Sequence, residues 1–408
     1  MNFLFLCTNY PLRSGETYLT GDLAEALIER GDHVDVALID WNANDADGDD
    51  PWVIGQAGVR VLRVVPVAIR GYGTLVYRAS KILLSDRRLA RVLREKLDLS
   101  QYDAVIAWMP ALTLRGAIRA VVEAGVRRRI LFIWDFFPFH QREIGMIRSS
   151  LAFAVALRSE RALVRQFSAI ITTAAQNDSY LRAHFPLAPH VQVLNTPVWY
   201  KPRSTSPFVD RAATRARFRL PADRAIAIFG GQLTDGRGIE DLLAVARKSN
   251  DSRDGIDYLF VGSGRLADRV AQAAKAQENL HLRSAIGRED YLVLAHACDV
   301  GMIATVPGVT SFSYPSKTID YLRAGLPVAI AVEPGSDYAK QLVAAGVGIA
   351  VSFGDIEAYR SAISTLVLRD RRQQSACAES YLRDILDVEH TLAVLDRALG
   401  ATTVKPAG

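Results

Sequence analysis

The chain has 408 residues, half of them hydrophobic, and a formal net charge of +5. This length leaves room for two domains with separate cores, and the composition excludes a disordered or low-complexity protein. The apolar runs are far shorter than the roughly 20 residues that span a bilayer, so we expect no transmembrane helix. Three scattered cysteines without ligand spacing favour reduced thiols in the cytoplasm and argue against a zinc site or a disulfide framework.

The N-terminal segment has the pattern of a βαβ unit. An apolar strand at 3–7 leads into a loop that contains Gly15, and a helix from about 17 to 30 is followed by a strand at 33–38. Ligands of such sheets bind at the carboxyl ends of the strands, so Gly15 is a candidate wall of a binding site. A tight turn without a ligand explains this single glycine equally well.

Positive charge is concentrated in one part of the chain. Residues 1–57 hold two basic and eleven acidic side chains, whereas residues 58–182 hold 21 basic and nine acidic ones. Segments 75–97 and 146–167 combine this charge with apolar residues at helical spacing. Each is either an ordinary solvated helix or a surface that lies on anionic lipid. We do not expect nucleic acid as a partner, because no recognised binding motif accompanies the charge.

A carboxylate and an imidazole follow the strand predicted at 130–134. Asp135 and His140 lie within an aromatic run at the carboxyl end of that strand, where chemistry or sugar stacking takes place in such sheets. We therefore predict a catalytic role for both. In the alternative interpretation, Asp135 caps a turn and His140 is a hydrogen-bonded loop residue.

The order of strands and helices predicts two domains. Residues 1–196 form the first α/β series and the proline-rich segment 197–221 reads as a linker. A second series occupies 222–375, a final helix at 376–400 packs back toward the N-terminal domain, and 401–408 is a frayed tail. Two such series predict doubly wound, Rossmann-like domains that face each other across a cleft, which is the default ligand site.

The C-terminal series carries glycines directly after two of its strands. The strand at 225–229 enters the loop 230–238, which contains Gly231. The strand at 258–261 enters Gly262 and Gly264. Both loops follow the carboxyl ends of strands, where ligands of such sheets bind.

The stretch 314–332 predicts a loop that opens a helix and then a buried strand. Tyr314, Pro315 and Ser316 lie where the helix begins, Lys317 adds a cation, and Asp320 adds a carboxylate one turn along. The free N–H groups and positive end of the helix suit a phosphate, so diphosphate and ribose can be held together here. The alternative is an ordinary helix–strand unit with a surface lysine and aspartate.

With these residues laid out, the whole chain resembles the GT-B glycosyltransferases, most closely the retaining family 4 type of bacterial polysaccharide assembly. In that family a Gly-Arg-Leu…Lys-Gly loop places two cations on the donor diphosphate. The matching run here is 231–238, in which Arg237 corresponds to the second cation while Gln232 replaces the first. Lys317 and Arg13 are candidates for the missing contact.

A second motif of the family has two glutamates separated by seven residues. Asp320 matches the second glutamate, which binds ribose, but the first position falls on Phe312. The run 314–322 is similar to the Pro-Ser-Lys…Glu-Tyr variant of this motif. The glycines at 262 and 264 resemble the Gly-x-Gly near the nucleotide, and the run 134–140 looks like the acceptor-side loop.

The resemblance implies transfer of a sugar from a nucleotide-sugar donor to a lipid-linked or glycan acceptor in cell-surface or exopolysaccharide synthesis, with retention. Arg237 and Lys317 would stabilise the departing diphosphate without a metal or other cofactor. Asp320 would hold the ribose, and Asp135 and His140 would face the acceptor. We expect the enzyme in the cytoplasm or peripherally on the inner face of the membrane.

Two other functions fit the same fold. A sugar-nucleotide 2-epimerase is disfavoured, because the segment 304–317 has no carboxylates to serve as acid and base. A non-catalytic GT-B subunit that activates a partner would explain Gln232 and Phe312.

Overall fold

The computed structural model describes residues 1–12, 16–41, 43, 51–69, 71–203 and 209–400. The chain divides into two compact units. Unit 1 contains Met1–Arg142, Ile147–Lys201 and the residues from Val388 on, and unit 2 contains Glu143–Met146 and Pro202–Asp387. No helix in the part of the chain that the structure describes is long and apolar enough to cross a membrane.

The strands of both units are short and apolar. In chain order they are β1 (Asn2–Cys7), β2 (His33–Ile39), β3 (Trp52–Ile54), β4 (Arg60–Val64), β5 (Ala104–Trp108), β6 (Arg128–Ile133), β7 (Ala169–Thr172), β8 (Gln192–Asn195), β9 (Ala225–Gly230), β10 (Ile256–Val261), β11 (Leu280–Arg283), β12 (Val300–Ala304), β13 (Val328–Ala331) and β14 (Gly348–Ala350).

The α-helices lie between most of these strands. They are α1 (Leu19–Glu29), α2 (Thr74–Lys96), α3 (Arg115–Glu123), α4 (Phe139–Glu143), α5 (Ser150–Val164), α6 (Asn177–His184), α7 (Arg211–Arg217), α8 (Ile239–Ser252), α9 (Ala267–Ala276), α10 (Arg288–His296), α11 (Lys317–Arg323), α12 (Asp337–Ala344), α13 (Ile356–Val367), α14 (Arg371–Ile385) and α15 (Val388–Gly400).

The sheet of unit 1 has the order β3-β4-β2-β1-β5-β6-β7-β8. Its pairs are parallel except for β3 with β4. Phe3 and Leu4 are both fully buried, so β1 is covered on both faces, as expected for a strand in the middle of a doubly wound sheet. The strand order reverses between β1 and β5, and ligands of such sheets bind at this switch point.

The sheet of unit 2 is parallel throughout its described strands, in the order β11-β10-β9-β12-β13-β14. Its core includes Phe229, Tyr258, Phe260 and Met302, all fully buried. The strand order reverses between β9 and β12, so the loops after these strands form the switch point of unit 2. The predicted pair of doubly wound α/β folds is confirmed.

The segment 197–221, predicted as a linker, is largely built into the two units. Trp199 is buried in unit 1 and donates its indole N–H to the carbonyl of Leu19 at 2.7 Å. Arg215, on α7 of unit 2, is 6% exposed and donates to the carbonyl of Ala297 at 2.9 Å and to Asp299 at 2.8 Å. Prolines therefore mark this segment as irregular without making it independent of the cores.

The C-terminal segment also differs from the single helix predicted at 376–400. It is divided between α14, which belongs to unit 2, and α15, which belongs to unit 1. In unit 1, the Thr391 hydroxyl on α15 lies 3.0 Å from that of Thr196, and Arg30 on the C-terminal end of α1 pairs with Asp396 at 2.8 Å. The predicted tail at 401–408 lies outside the described residues.

Candidate active site

The glycine loops after β9 and β10 are packed directly against each other. A Cβ on Gly262 would lie 1.8 Å from the carbonyl oxygen of Gly231, and one on Gly264 would lie 2.5 Å from that of Leu233. Leu233 also donates its backbone N–H to Ser263 at 2.9 Å. Only glycine fits at this distance, so the sequence brings two bare backbone loops together at the switch point of unit 2.

Arg237 lies beside the carboxyl end of β12. The next residue, Gly238, has φ +59° and precedes α8, and a Cβ on it would lie 2.4 Å from the Cβ of Ala304, the last residue of β12. The start of α8 is therefore pressed against the end of β12. This contact fixes Arg237 at the switch point, where its guanidinium is half-buried.

Lys317 is the second cation at this point. Its Nζ lies 3.8 Å from the centroid of the Phe229 ring on β9, a cation–π contact. Burial, together with the charge of Arg237, holds the pKa of Lys317 well below its usual range. The two positive charges repel each other where water is partly excluded, so a bound anion would stabilise both. The sequence predicted both residues, and the structure brings them together.

Asp320 follows Lys317 by one turn but already holds a cation. It is 6% exposed and its Oδ1 pairs with Nη2 of Arg288, the first residue of α10, at 2.5 Å. Sequence reasoning missed Arg288. The available signal was an arginine at the start of a helix, where a positive charge is unfavourable unless a carboxylate faces it. The predicted ribose contact of Asp320 thus involves an ion pair and not an isolated carboxylate.

The residues before Lys317 have different environments. Tyr314 is buried, its hydroxyl lies 2.9 Å from that of Tyr381, and its ring packs edge-on against Tyr338. Its hydroxyl is thus used inside the core, and donor binding by Tyr314 stays a prediction. Pro315 is also buried, whereas Ser316 is exposed at the start of α11 and makes no side-chain cap bond.

The remaining predicted donor residues are only partly described. Gly231 and Gln232 are exposed in the loop after β9. Gly15 and Arg13 lie outside the described residues.

Asp135 and His140 follow β6 in unit 1. Asp135 is half-buried, and its carbonyl accepts the N–H of Phe137 at 3.1 Å. His140, in the first turn of α4, has a buried Nδ1 with no hydrogen-bond partner among the described residues. The structure places both residues at the predicted edge of the sheet, and the imidazole keeps a nitrogen for further interaction.

An aromatic cluster surrounds the end of β6. The ring of Trp134 lies 5.8 Å from that of Tyr18, 6.1 Å from Trp108 and 6.0 Å from Trp199. The indole N–H groups of Trp108 and Trp134 are buried without hydrogen-bond partners in the described parts of the chain. Sequence reasoning found only the run at 134–140, because the other rings come from distant segments.

The comparisons with known proteins agree with this architecture. Residues 14–199 match the family model of a glycosyl transferase 4-like domain. Sucrose-phosphate synthase from Thermosynechococcus elongatus is 18% identical, with a TM-score of 0.74 over 98% of this chain and 100% of that one. The chain has the GT-B fold. A search of curated protein sequences gives no match.

Two further solved structures share this fold. WaaG, a glycosyltransferase of lipopolysaccharide biosynthesis, is 16% identical with a TM-score of 0.64 over 99% of this chain and 100% of that one. HepE from Anabaena, in complex with UDP-glucose, is 19% identical with a TM-score of 0.65 over 98% and 100%. The family model covers Asp135 and His140, whereas Arg237 and Lys317 lie outside the matched segment.

Proposed function

We propose that this glycosyltransferase moves a sugar from a nucleotide-sugar donor to a lipid-linked or glycan acceptor in polysaccharide synthesis, with retention at the anomeric carbon. The observation that supports this best is the pair Arg237 and Lys317 at the switch point of unit 2. A nucleoside diphosphate supplies the negative charge that would relieve their mutual repulsion and raise the depressed pKa of Lys317. Retention is carried by the family resemblance.

The chemical task is to stabilise a departing diphosphate. Charge that builds up on this leaving group would be met by the two cations and by the backbone of the close-packed glycine loops. Asp135 and His140 would face the acceptor in unit 1, and the aromatic cluster around Trp134 offers apolar faces for a sugar ring. Solved HepE contains UDP and glucose, which makes uridine nucleotides the first series to test.

Thermal unfolding with nucleotide sugars tests the donor site. A ligand at about 100 times its dissociation constant adds roughly 2.7 kcal/mol to the stability of the native state. We expect stabilisation by one of the UDP-, GDP-, ADP- or dTDP-sugars, and loss of that stabilisation in Arg237→Ala. Arg269→Ala is the matched control, because Arg269 is exposed on α9 of the same unit and faces Glu240 at 3.4 Å. Absence of stabilisation by all four series would refute the proposed donor site.

We also infer that unit 1 meets an anionic membrane surface through α5. Leu151 is 75% and Val155 58% exposed, and Arg158 continues the same helical face. Arg148 and Arg165, near the two ends of the helix, are also exposed. An exposed apolar stripe among arginines has the chemistry of a helix that lies on anionic lipid, where each basic residue contributes about 1 kcal/mol. Such a surface would hold the enzyme peripherally on the inner face of the membrane.

The basic helix α2 contributes to the same proposal. Leu83 is 46% exposed, and Arg87, one turn further, is exposed as well. Part of its charge is paired, however: Arg94 contacts Glu123 at 2.8 Å and Arg91 faces Glu95 at 3.7 Å. We therefore assign the larger share of membrane binding to α5.

Co-sedimentation with vesicles tests this surface. We expect binding to vesicles that contain phosphatidylglycerol, weaker binding in high salt, and no binding to phosphatidylcholine alone. Leu151→Glu should abolish it, whereas Leu368→Glu should not, because Leu368 is 86% exposed in unit 2. Equal sedimentation of both variants would exclude α5 as the binding surface.

A further inference from the structure

A cavity of about 750 Å³ runs along α12 and β14 in unit 2 and reaches the carboxyl ends of β13 and β14. Its polar lining includes Glu333, Ser336 and Lys340, and its apolar lining includes Val332 and Ile349. The size is within the range of small-molecule sites, and the position is the edge of the sheet where ligands of such folds bind. No residue of this cavity was predicted from the sequence as part of a site.

Glu333 is a buried acid in the wall of the cavity. It is 4% exposed, two residues beyond the end of β13, and its Oε1 accepts the hydroxyl of Ser313 at 3.4 Å. Removing a carboxylate from water is costly unless hydrogen-bond donors replace the lost hydration. Ser313 supplies one such donor, and a position in the wall of the cavity also brings the carboxylate within reach of a ligand.

Ser336 gives an independent indication of a ligand. It is 1% exposed and lines the cavity, and its hydroxyl has no hydrogen-bond partner in the described part of the chain. Serine at the residue before a helix usually accepts from a backbone N–H of the first turn, but Ser336 makes no such bond to α12. Its hydroxyl therefore remains without a structural role.

The cavity and the two cations belong to the same edge of the sheet. β12 and β13 are paired neighbours, and Glu333 reaches the loop after β12 through Ser313. Ser313 precedes Lys317 by four residues, a distance of at most about 14 Å for a fully extended chain. The carboxylate and the place proposed for the diphosphate thus lie on the same edge of the sheet.

We propose that Glu333 and Ser336 bind hydroxyl groups of the donor sugar. This inference rests on the proposed function, because it takes the diphosphate to be held by Arg237 and Lys317. Sugar hydroxyls donate to the Glu333 carboxylate and to Ser336 Oγ, and the C–H face of the ring packs on Val332. The proposal makes Glu333 a specificity residue: it acts on the sugar and not on the nucleotide.

The test compares two ligands on one protein. Calorimetric titration would measure the affinity of the full chain, and of Glu333→Gln and Ser336→Ala, for a nucleotide sugar and for the matching nucleoside diphosphate. Loss of a hydrogen bond to a charged group corresponds to about a tenfold change in affinity. We expect Glu333→Gln to lower the affinity for the nucleotide sugar about tenfold and that for the diphosphate less than twofold. Ser336→Ala should lower the affinity for the nucleotide sugar by a smaller factor, again with little effect on the diphosphate.

Glu278→Gln serves as the control, since Glu278 is an exposed acid of the same unit. Native melting curves of each variant exclude misfolding, and Ser336→Ala keeps the test valid if Glu333→Gln does not fold. Equal affinity changes for both ligands, or none, would overturn the inference and leave the donor site intact. Failure of the unmodified protein to bind any of the four nucleoside diphosphates would overturn the proposed function and this inference together.

Discussion

Replacing Glu160 by glutamine removes a fully buried acid from α5 of unit 1. Its two oxygens accept the backbone N–H groups of Ala111 at 2.6 Å and Leu112 at 2.9 Å, at the start of the segment that follows β5. Burial raises the pKa of Glu160 to about 7, against which these two hydrogen bonds act. Asp86 on α2 accepts the backbone N–H of Gly116 in the same segment at 2.8 Å, and burial raises the pKa of Asp86 to about 6.

The raised pKa has a defined effect on stability. An acid whose folded pKa exceeds its unfolded value binds its proton more tightly in the folded protein, so folding is favoured at low pH. The contribution of Glu160 is fully present below its ordinary value of 4.5 and is lost as the pH rises through 7. A shift of this size corresponds to about 3 kcal/mol in the free energy of unfolding. Glutamine does not titrate and cannot contribute this term.

Urea denaturation between pH 5 and pH 8 measures the effect. Asp86 also titrates in this range, so the useful quantity is the difference between the wild-type protein and Glu160→Gln. We expect the stability advantage of the wild type to be about 2 to 3 kcal/mol larger at pH 5 than at pH 8. Glu95→Gln, an exposed acid on α2, should show no such trend. A difference between wild type and Glu160→Gln that stays constant with pH would refute the reasoning.

Four further outcomes are expected. Gly262→Ala should lower the free energy of unfolding, measured in urea, by about 2 kcal/mol or more, because the new Cβ meets the backbone of Gly231. Gly255→Ala is the control: Gly255 also has a positive φ, +80°, but open space around it, so the loss should be about 1 kcal/mol. Equal losses in the two variants would rule out the clash. Arg215→Met should lower the stability measured by thermal unfolding by about 3 kcal/mol or more, because it leaves buried acceptors unpaired. Unchanged stability would favour the interpretation of this segment as a linker. Tyr381→Phe should lower the free energy of unfolding by about 1 kcal/mol, because the Tyr314 hydroxyl loses its partner, and should leave the rate of sugar transfer unchanged. A slower rate would indicate that Tyr314 takes part in the reaction. Nucleoside diphosphate binding should raise the lowered pKa of Lys317, so that the protein takes up a proton at a pH between the pKa of the free and the bound state. Calorimetry in buffers of different ionisation enthalpy measures this uptake, and uptake that persists in Lys317→Met would contradict the assignment.

The parts of the site that follow from local chemistry could be predicted. Gly262 and Gly264 directly after a strand indicate close backbone approach, and the structure shows that contact. The family resemblance pointed to Arg237 and Lys317 for one diphosphate, and the structure shows that the charge of one acts on the other. The α/β alternation likewise predicts a doubly wound sheet in each unit, but not the order of its strands.

The parts that depend on distant partners could not. The sequence predicts Tyr314 as a ligand residue, but it does not show that Tyr381, 67 residues later, contacts its hydroxyl. Glu160 looks like one charge on a surface helix, yet it binds backbone 49 residues earlier. Arg215 lies in a proline-rich stretch whose sequence shows nothing of its buried acceptors. Each contact joins residues whose spacing follows no helical or strand period.

The division of unit 1 between the two ends of the chain bears on how the protein is made. The ribosome releases β1 to β8 first, then residues 202–387 of unit 2, and only afterwards α15. Until α15 emerges, α1 lacks a helix that packs against it in the native protein. Unit 2 can thus complete its core before the last helix of unit 1 has been synthesised. The unit whose synthesis begins first is therefore the last to be completed.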